Sequence, residues 1–196
     1  MAIIARKITA SLIRARRITA RLIQTATSKI CRYFTTFNGT SSYAALTDDI
    51  VLSGDFEIEI NCSTTNTTQD QAIFDSSDFT VSGVGKSLLY IDNPNGLDFV
   101  IPKAGIGFTR TQFGGFTDLT NGESNTVVVG RSSGVIYAKL NNVALAATLD
   151  LTSNIDVIID NVGGLSRKFD GQLSDLKIWS GGDRTTGSLI LDLPMS

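Results

Sequence analysis

Phe169-Asp170-Gly171-Gln172-Leu173-Ser174-Asp175-Leu176-Lys177-Ile178-Trp179 reads as a strand that opens on a turn. Gly171 follows a turn-prone Asp, and Leu176 and Ile178 then alternate with Asp175 and Lys177. That two-residue period is what a strand with one buried face requires. Leu173 is out of phase with Leu176, so one extra residue, a bulge, is expected between them. The run ends in the only Trp of the chain, a large apolar ring expected in the core with its N–H partnered.

Working outward, Gly54-Asp55-Phe56-Glu57-Ile58-Glu59-Ile60 is the cleanest alternation in the chain, with Phe56, Ile58 and Ile60 on one face. Phe37-Asn38-Gly39-Thr40-Ser41-Ser42-Tyr43-Ala44-Ala45-Leu46 places an Asn-Gly turn before an apolar strand. Further strands are predicted at 72–75, 79–82, 87–91, 97–101, 104–108, 125–131, 134–140, 143–147, 155–160 and 189–193, with a turn at Asn93-Pro94-Asn95-Gly96. Short alternating strands in that number suit a sandwich of two antiparallel sheets.

The 169–179 stretch also resembles the closing strand of laminin-G-like, concanavalin-type jelly rolls, where F-D-G-x-I-D-D-V-R-I-W recurs; Ser174 stands where the family often has a second acid. Residues 37–46 resemble the opening F-D-G-x-x-D-Y-V-x-L strand, with Asn38 in place of Asp. Residues 54–60 match G-D-F-T-I-E-x-W, with Ile60 where Trp is common, and Asn141-Asn142 occupy the D-G place of a Y-V-D-G-V hairpin. The resemblance covers residues 34–180 and implies an all-β, two-sheet antiparallel jelly roll spanning 33–196. It also implies that chemistry lies in loops, where such domains sometimes hold calcium. Asp75, Asp78, Asp92, Asp98 and Asp118 are the candidate oxygen ligands. They show no dense ligand spacing, so the expectation is no cofactor, with calcium as the option.

Charge divides the chain of 196 residues in two. Residues 1–32 carry eight basic residues and no acid, while the remainder holds nine basic and nineteen acidic residues, a net charge of −10. The formal total of −2 hides a cationic arm on an anionic body. Within the arm, Ala5-Arg6-Lys7-Ile8-Thr9-Ala10-Ser11-Leu12-Ile13 returns ten residues later as Ala15-Arg16-Arg17-Ile18-Thr19-Ala20-Arg21-Leu22-Ile23. A ten-residue repeat keeps its face as a strand and rotates as a helix, and Ile and Thr favour strands, so extended segments are the preferred reading. A short segment of this kind cannot bury its own apolar row. Arg6, Lys7, Ile8, Leu12, Arg16, Arg17, Ile18, Arg21 and Leu22 are therefore the expected partner-binding residues.

The residue inventory excludes several chemistries. With no His in the chain, Ser–His–Asp and Cys–His nucleophilic arrangements are ruled out. Cys31 and Cys62 are too few for a disulfide framework and read as reduced thiols. Gly83-Val84-Gly85-Lys86-Ser87 lacks the Walker spacing, and no apolar run approaches the roughly 18 residues of a membrane helix. Asp55, Glu57 and Glu59 at i, i+2 and i+4 resemble the acid strand of concanavalin-like glycosidases, with Asp and Glu interchanged at the first two positions. A solvated face of an amphipathic strand is the preferred reading, and no catalytic residues are expected. A nucleic-acid role is disfavoured, because the arm has no aromatic before Tyr33 and the body would repel a polyanion.

A laminin-G-like sandwich on a basic repeated arm resembles accessory proteins of bacteriophage virions. The expectation is a non-enzymatic structural component of head, neck, tail or fibre. It would be located in the virion, bound to other virion proteins through the arm, and homo-oligomeric with a trimer as first guess. The alternatives are a carbohydrate-binding module for host-surface glycans and, third, a concanavalin-like glycosidase.

Overall fold

The computed structural model describes residues 7–9, 19–21, 35–75, 87–102, 108–147, 152, 153, 155–164 and 167–194. In chain order the strands are β1 (Lys7–Thr9), β2 (Thr19–Arg21), β3 (Thr35–Asn38), β4 (Ala44–Leu52), β5 (Phe56–Ser63), β6 (Gln71–Asp75), β7 (Leu88–Asp92) and β8 (Gly96–Pro102). Then come β9 (Phe108–Phe113), the single-turn helix α1 (Phe116–Leu119), β10 (Asn125–Ser132), β11 (Val135–Leu140), β12 (Val143–Ala144), β13 (Val157–Val162), β14 (Asp170–Ser180) and β15 (Ser188–Leu193). Two antiparallel sheets form the sandwich. One runs β4-β13-β6-β7-β8-β9 and the other β12-β11-β10-β5-β14, with β3 and β15 sharing the far side of β14.

The organising strand is β14. Its first half pairs with β3, its second half with β15, and its other side with β5 throughout. The predicted bulge is present: Ser174 faces Asn61 and Lys177 faces Glu59, so Asp175 and Leu176 together oppose Ile60. Asp175 takes the left-handed φ of 52° that the extra residue demands. The slip returns Leu173, Leu176 and Ile178 to the same inner face, all fully buried. Gly171 is required for a different reason. Its φ is +151°, and a Cβ there would stand 2.1 Å from the Ser63 carbonyl oxygen.

Between the sheets, Phe56, Ile58, Ile60 and Cys62 of β5 meet Phe99 and Ile101 of β8 and Phe74 of β6 in one core. Phe99 is the aromatic hub, edge-on to Phe56 at 6.3 Å and to Phe74 at 6.1 Å. Each such fully buried side chain contributes about 1.5–3 kcal/mol.

One buried cation closes the rim. Arg131 of β10 is 1 % exposed and its guanidinium stands 5.1 Å from the Phe56 ring centroid. It donates to the main-chain oxygens of Gly54 (2.5 Å), Ile155 (2.5 Å), Ser153 (3.2 Å) and Leu52 (3.4 Å). The two sheets are thereby tied at the β4–β5 turn and at the loop before β13.

Some expectations are corrected. Trp179 is half-buried and not in the core, because the alternation that sends Ile178 inward sends its neighbour to the outer face. Strand β9 begins at Phe108, where a 104–108 strand was expected to end, and the helical turn α1 was not anticipated. The predicted 79–82 strand lies outside the described residues.

Candidate ligand-binding face

The outer face of the β12–β15 sheet is built around one glycine. Gly130 of β10 lies between Tyr137 of β11 and Glu57 of β5 in register. A Cβ on Gly130 would sit 2.4 Å from Tyr137 Cζ and 2.5 Å from its hydroxyl oxygen. The absent side chain lets the Tyr137 ring cross β10, and its hydroxyl donates to Glu57 Oε2 at 2.8 Å. Burial, then the Glu57 carboxylate beside it, push the Tyr137 hydroxyl well above its ordinary pKa.

The β14–β15 connection folds back over the same face. Gly181 N–H donates to the Asp55 carbonyl at 2.8 Å. Arg184 then crosses the acid strand: its N–H faces Glu57 Oε1 at 3.4 Å, its Nη1 donates to Glu59 Oε2 at 3.1 Å and its Nη2 to Asn142 Oδ1 at 2.9 Å. Lys139 Nζ and Arg184 Nε each lie 3.8 Å from Glu57, and Lys177 Nζ lies 3.8 Å from Glu59. Glu57 is only 1 % exposed, so the solvated acid face expected from sequence is corrected: a neighbouring tyrosine and a distant loop cover it. Asp55 precedes β5 and stands apart from the other two acids, at the cleft described next.

Between the loop and β11 lies a cleft of about 570 Å³, lined among others by Asp55, Ser132, Tyr137, Lys139, Asp183 and Thr186. Asp183 is held in an Asx turn. Its Oδ1 accepts from the N–H and hydroxyl of Thr185 (2.9 and 2.6 Å) and of Thr186 (3.0 and 2.9 Å). Those donors hold its carboxyl far below the usual range.

A second polar cluster lies on the outer face of the other sheet. Arg110 of β9 binds Asp98, and its Nη2 reaches Asp92 Oδ2 at 2.6 Å. Asp92 also accepts from Asn95 Nδ2 at 2.8 Å and Gln112 Nε2 at 3.2 Å. Burial raises the Asp98 carboxyl against the opposing pull of Tyr90 and Arg110. Of the five acids considered for calcium, Asp92 and Asp98 thus share a guanidinium, Asp75 is buried in β6, Asp118 is exposed on α1 and Asp78 is outside the described residues. No group of three potential metal ligands forms among the described residues.

Of the arm residues singled out from sequence, Lys7 and Ile8 fall in β1 and Arg21 in β2. These strands pair antiparallel with Lys7 opposite Arg21 and Ile8 opposite Ala20. The two copies of the repeat are extended there, as preferred. Arg6, Leu12, Arg16, Arg17, Ile18 and Leu22 lie outside the described residues. Sequence reasoning missed Tyr137, Lys139, Asp183 and Arg184. The one local signal was Asp183-Arg184-Thr185-Thr186, an acid followed by two hydroxyl residues at Asx-turn spacing.

No protein-family model and no curated protein matches the sequence. Solved structures do. Domain 4 of a family-43 extracellular arabinanase from Geobacillus stearothermophilus, in complex with arabinotriose, is similar over 89% of this chain and 81% of that one, at 15% identity and TM-score 0.56. LG domains 4–5 of the mouse laminin alpha1 chain are similar over 81% of this chain at 21% identity and TM-score 0.52; the chain spans 44% of that protein's length. The enzymatically active domain of tailspike protein 2 of bacteriophage CBA120 is similar over 82% of this chain and 29% of that one, at 10% identity and TM-score 0.52. The fold is the concanavalin-type, laminin-G-like jelly roll, shared with carbohydrate-binding, glycosidase and phage tailspike domains.

Proposed function

We propose that this protein is a non-enzymatic structural component of a bacteriophage virion. Residues 1–32 anchor it to other virion proteins, and the jelly roll projects from head, neck, tail or fibre. The observation that carries this reading is the division of the chain into a basic repeated arm and a body of net charge −10. Strands β1 and β2 form a two-stranded sheet that pairs with neither sheet of the sandwich, with β1 lying beside β4. A ribbon of two strands is marginal in water, so the Ile and Leu residues of the 1–32 arm call for a surface on another chain. A second copy supplies such a surface, which favours a homo-oligomer, with a trimer as first choice. The CBA120 tailspike gives precedent for this sandwich on a phage particle.

A non-enzymatic role agrees with the state of the acid strand. Hydrolysis of a glycoside needs one carboxyl free to give a proton and another free to act as base or nucleophile. Here Glu57 is engaged by Tyr137 and Arg184 with Lys139 beside it, and Glu59 is paired with Arg184. The test of the main reading is incorporation. Tagged full-length protein and tagged protein lacking residues 1–32 are supplied during phage assembly, and purified particles are probed for the tag. The full chain is expected in particles and the truncated chain is not; equal incorporation refutes the anchoring role.

A second reading, a carbohydrate-binding module for surface glycans, is favoured by the cleft beside Tyr137 and by the arabinotriose complex of the similar arabinanase domain.

A further inference from the structure

We infer that the cleft between β11 and the 181–187 loop binds a neutral saccharide, with Tyr137 as its floor and Asp183 as its oriented acceptor. The inference rests on the carbohydrate-binding reading and assigns it a site. Three features point the same way.

The first is shape. A volume of about 570 Å³ falls within the range of roughly 300–1,000 Å³ in which proteins hold small ligands. The second is the floor. Because Gly130 has no side chain, Tyr137 crosses β10 and its hydroxyl is anchored on Glu57, so the ring is fixed before any ligand arrives. An aromatic ring held in that way offers a flat apolar surface to the C–H face of a sugar ring, at little entropic cost. Lys139 Nζ stands over that ring, 5.2 Å from its centroid, so a sugar shares the ring face with the ammonium, which is also a donor to its hydroxyls.

The third feature is Asp183. All four donors of the Asx turn converge on Oδ1. Oδ2 accepts from none of the described residues and remains available to a hydroxyl pair on a ligand. A carboxylate bonded by sugar hydroxyls through one oxygen and by its own loop through the other is oriented without a metal ion.

Charge sets the ligand class. Asp55 and Asp183 face Lys139 and the carbonyl-bound Arg131 in the lining, so the cleft itself is balanced, and the net −10 of the body around it disfavours a sulfated or phosphorylated chain. A neutral polyol meets no such penalty.

The full-length protein is titrated by calorimetry with neutral trisaccharides, arabinotriose among them, and with a sulfated trisaccharide as control. Three variants accompany it: Tyr137→Ala, Tyr137→Phe and Asp183→Asn. The Asn keeps the Oδ1 acceptor of the turn and replaces Oδ2 with a donor, so the loop is preserved. Binding of a neutral trisaccharide is expected, weakened at least tenfold in Tyr137→Ala and about tenfold in Asp183→Asn, and retained within threefold in Tyr137→Phe. Should Tyr137→Ala fail to fold, Asp183→Asn alone decides. Binding that every variant retains overturns this site while leaving the carbohydrate reading in force elsewhere on the molecule. Binding of the sulfated sugar alone overturns the neutral class, and no binding at millimolar concentration overturns both site and reading.

Discussion

Replacing Gly130 by Ala tests how the outer face is assembled. The new Cβ would stand 2.4 Å from Tyr137 Cζ, 2.5 Å from the Tyr137 hydroxyl oxygen and 2.7 Å from the Phe56 carbonyl oxygen. The first two contacts are with a side chain that can swing away, and the third is with the paired backbone of β5. Overpacking of this kind costs about 1–3 kcal/mol. Displacing Tyr137 also forfeits its bond to the buried Glu57 carboxylate, about 1.5–3 kcal/mol for a hydrogen bond to a charged group. The total is about 2.5–6 kcal/mol. At about 2–4 °C per kcal/mol for a domain of this size, the thermal midpoint should fall by about 5–24 °C. The assay is thermal and urea unfolding of Gly130→Ala, Tyr137→Ala and the double variant. Because Tyr137→Ala removes two of the three clashes in advance, the two substitutions should couple by at least about 1 kcal/mol. Simple additivity, within about 0.3 kcal/mol, would show that the ring does not depend on the missing side chain.

Other consequences concern the interior. Arg131→Met should destabilise the fold in urea unfolding by about 1–3 kcal/mol for each of the four rim carbonyl oxygens that stays buried without a donor. Burial pushes the Cys62 thiol up to about 12, so in a Cys31→Ser background its labelling by a thiol reagent at pH 8 should follow global unfolding. Tyr137 is raised in the folded state, so the unfolded chain loses that proton first. Stability should therefore fall as pH rises past about 10, and less steeply in Tyr137→Phe.

The core was legible because its signals are local. The phase slip between Leu173 and Leu176 announced the bulge at Asp175, and the alternation of Phe56, Ile58 and Ile60 fixed the inner face of β5. The same alternation also fixed the outward direction of Trp179, where residue size argued the other way. What was not legible depends on residues far apart in the chain. Glu57 reads as a solvated acid until Tyr137, 80 residues on, and Arg184, 127 residues on, are placed over it. Nothing in the sequence marks Arg131 as a buried tie, because its partners are carbonyl oxygens, which every residue has and no motif records. Gly130 carries no local signal of its role, which follows only from the register that sets Tyr137 beside it.

Cross-linking of intact phage particles through primary amines tests the assembly role most directly. Lys7 and Lys29 are the arm's two lysines, and Lys139 and Lys177 lie on the outer face of the sandwich. The account predicts links from Lys7 and Lys29 to another virion protein or to a second copy of this chain, with Lys139 and Lys177 free of such links. Particles that lack the protein, or arm lysines linked only to the body of their own chain, would contradict it.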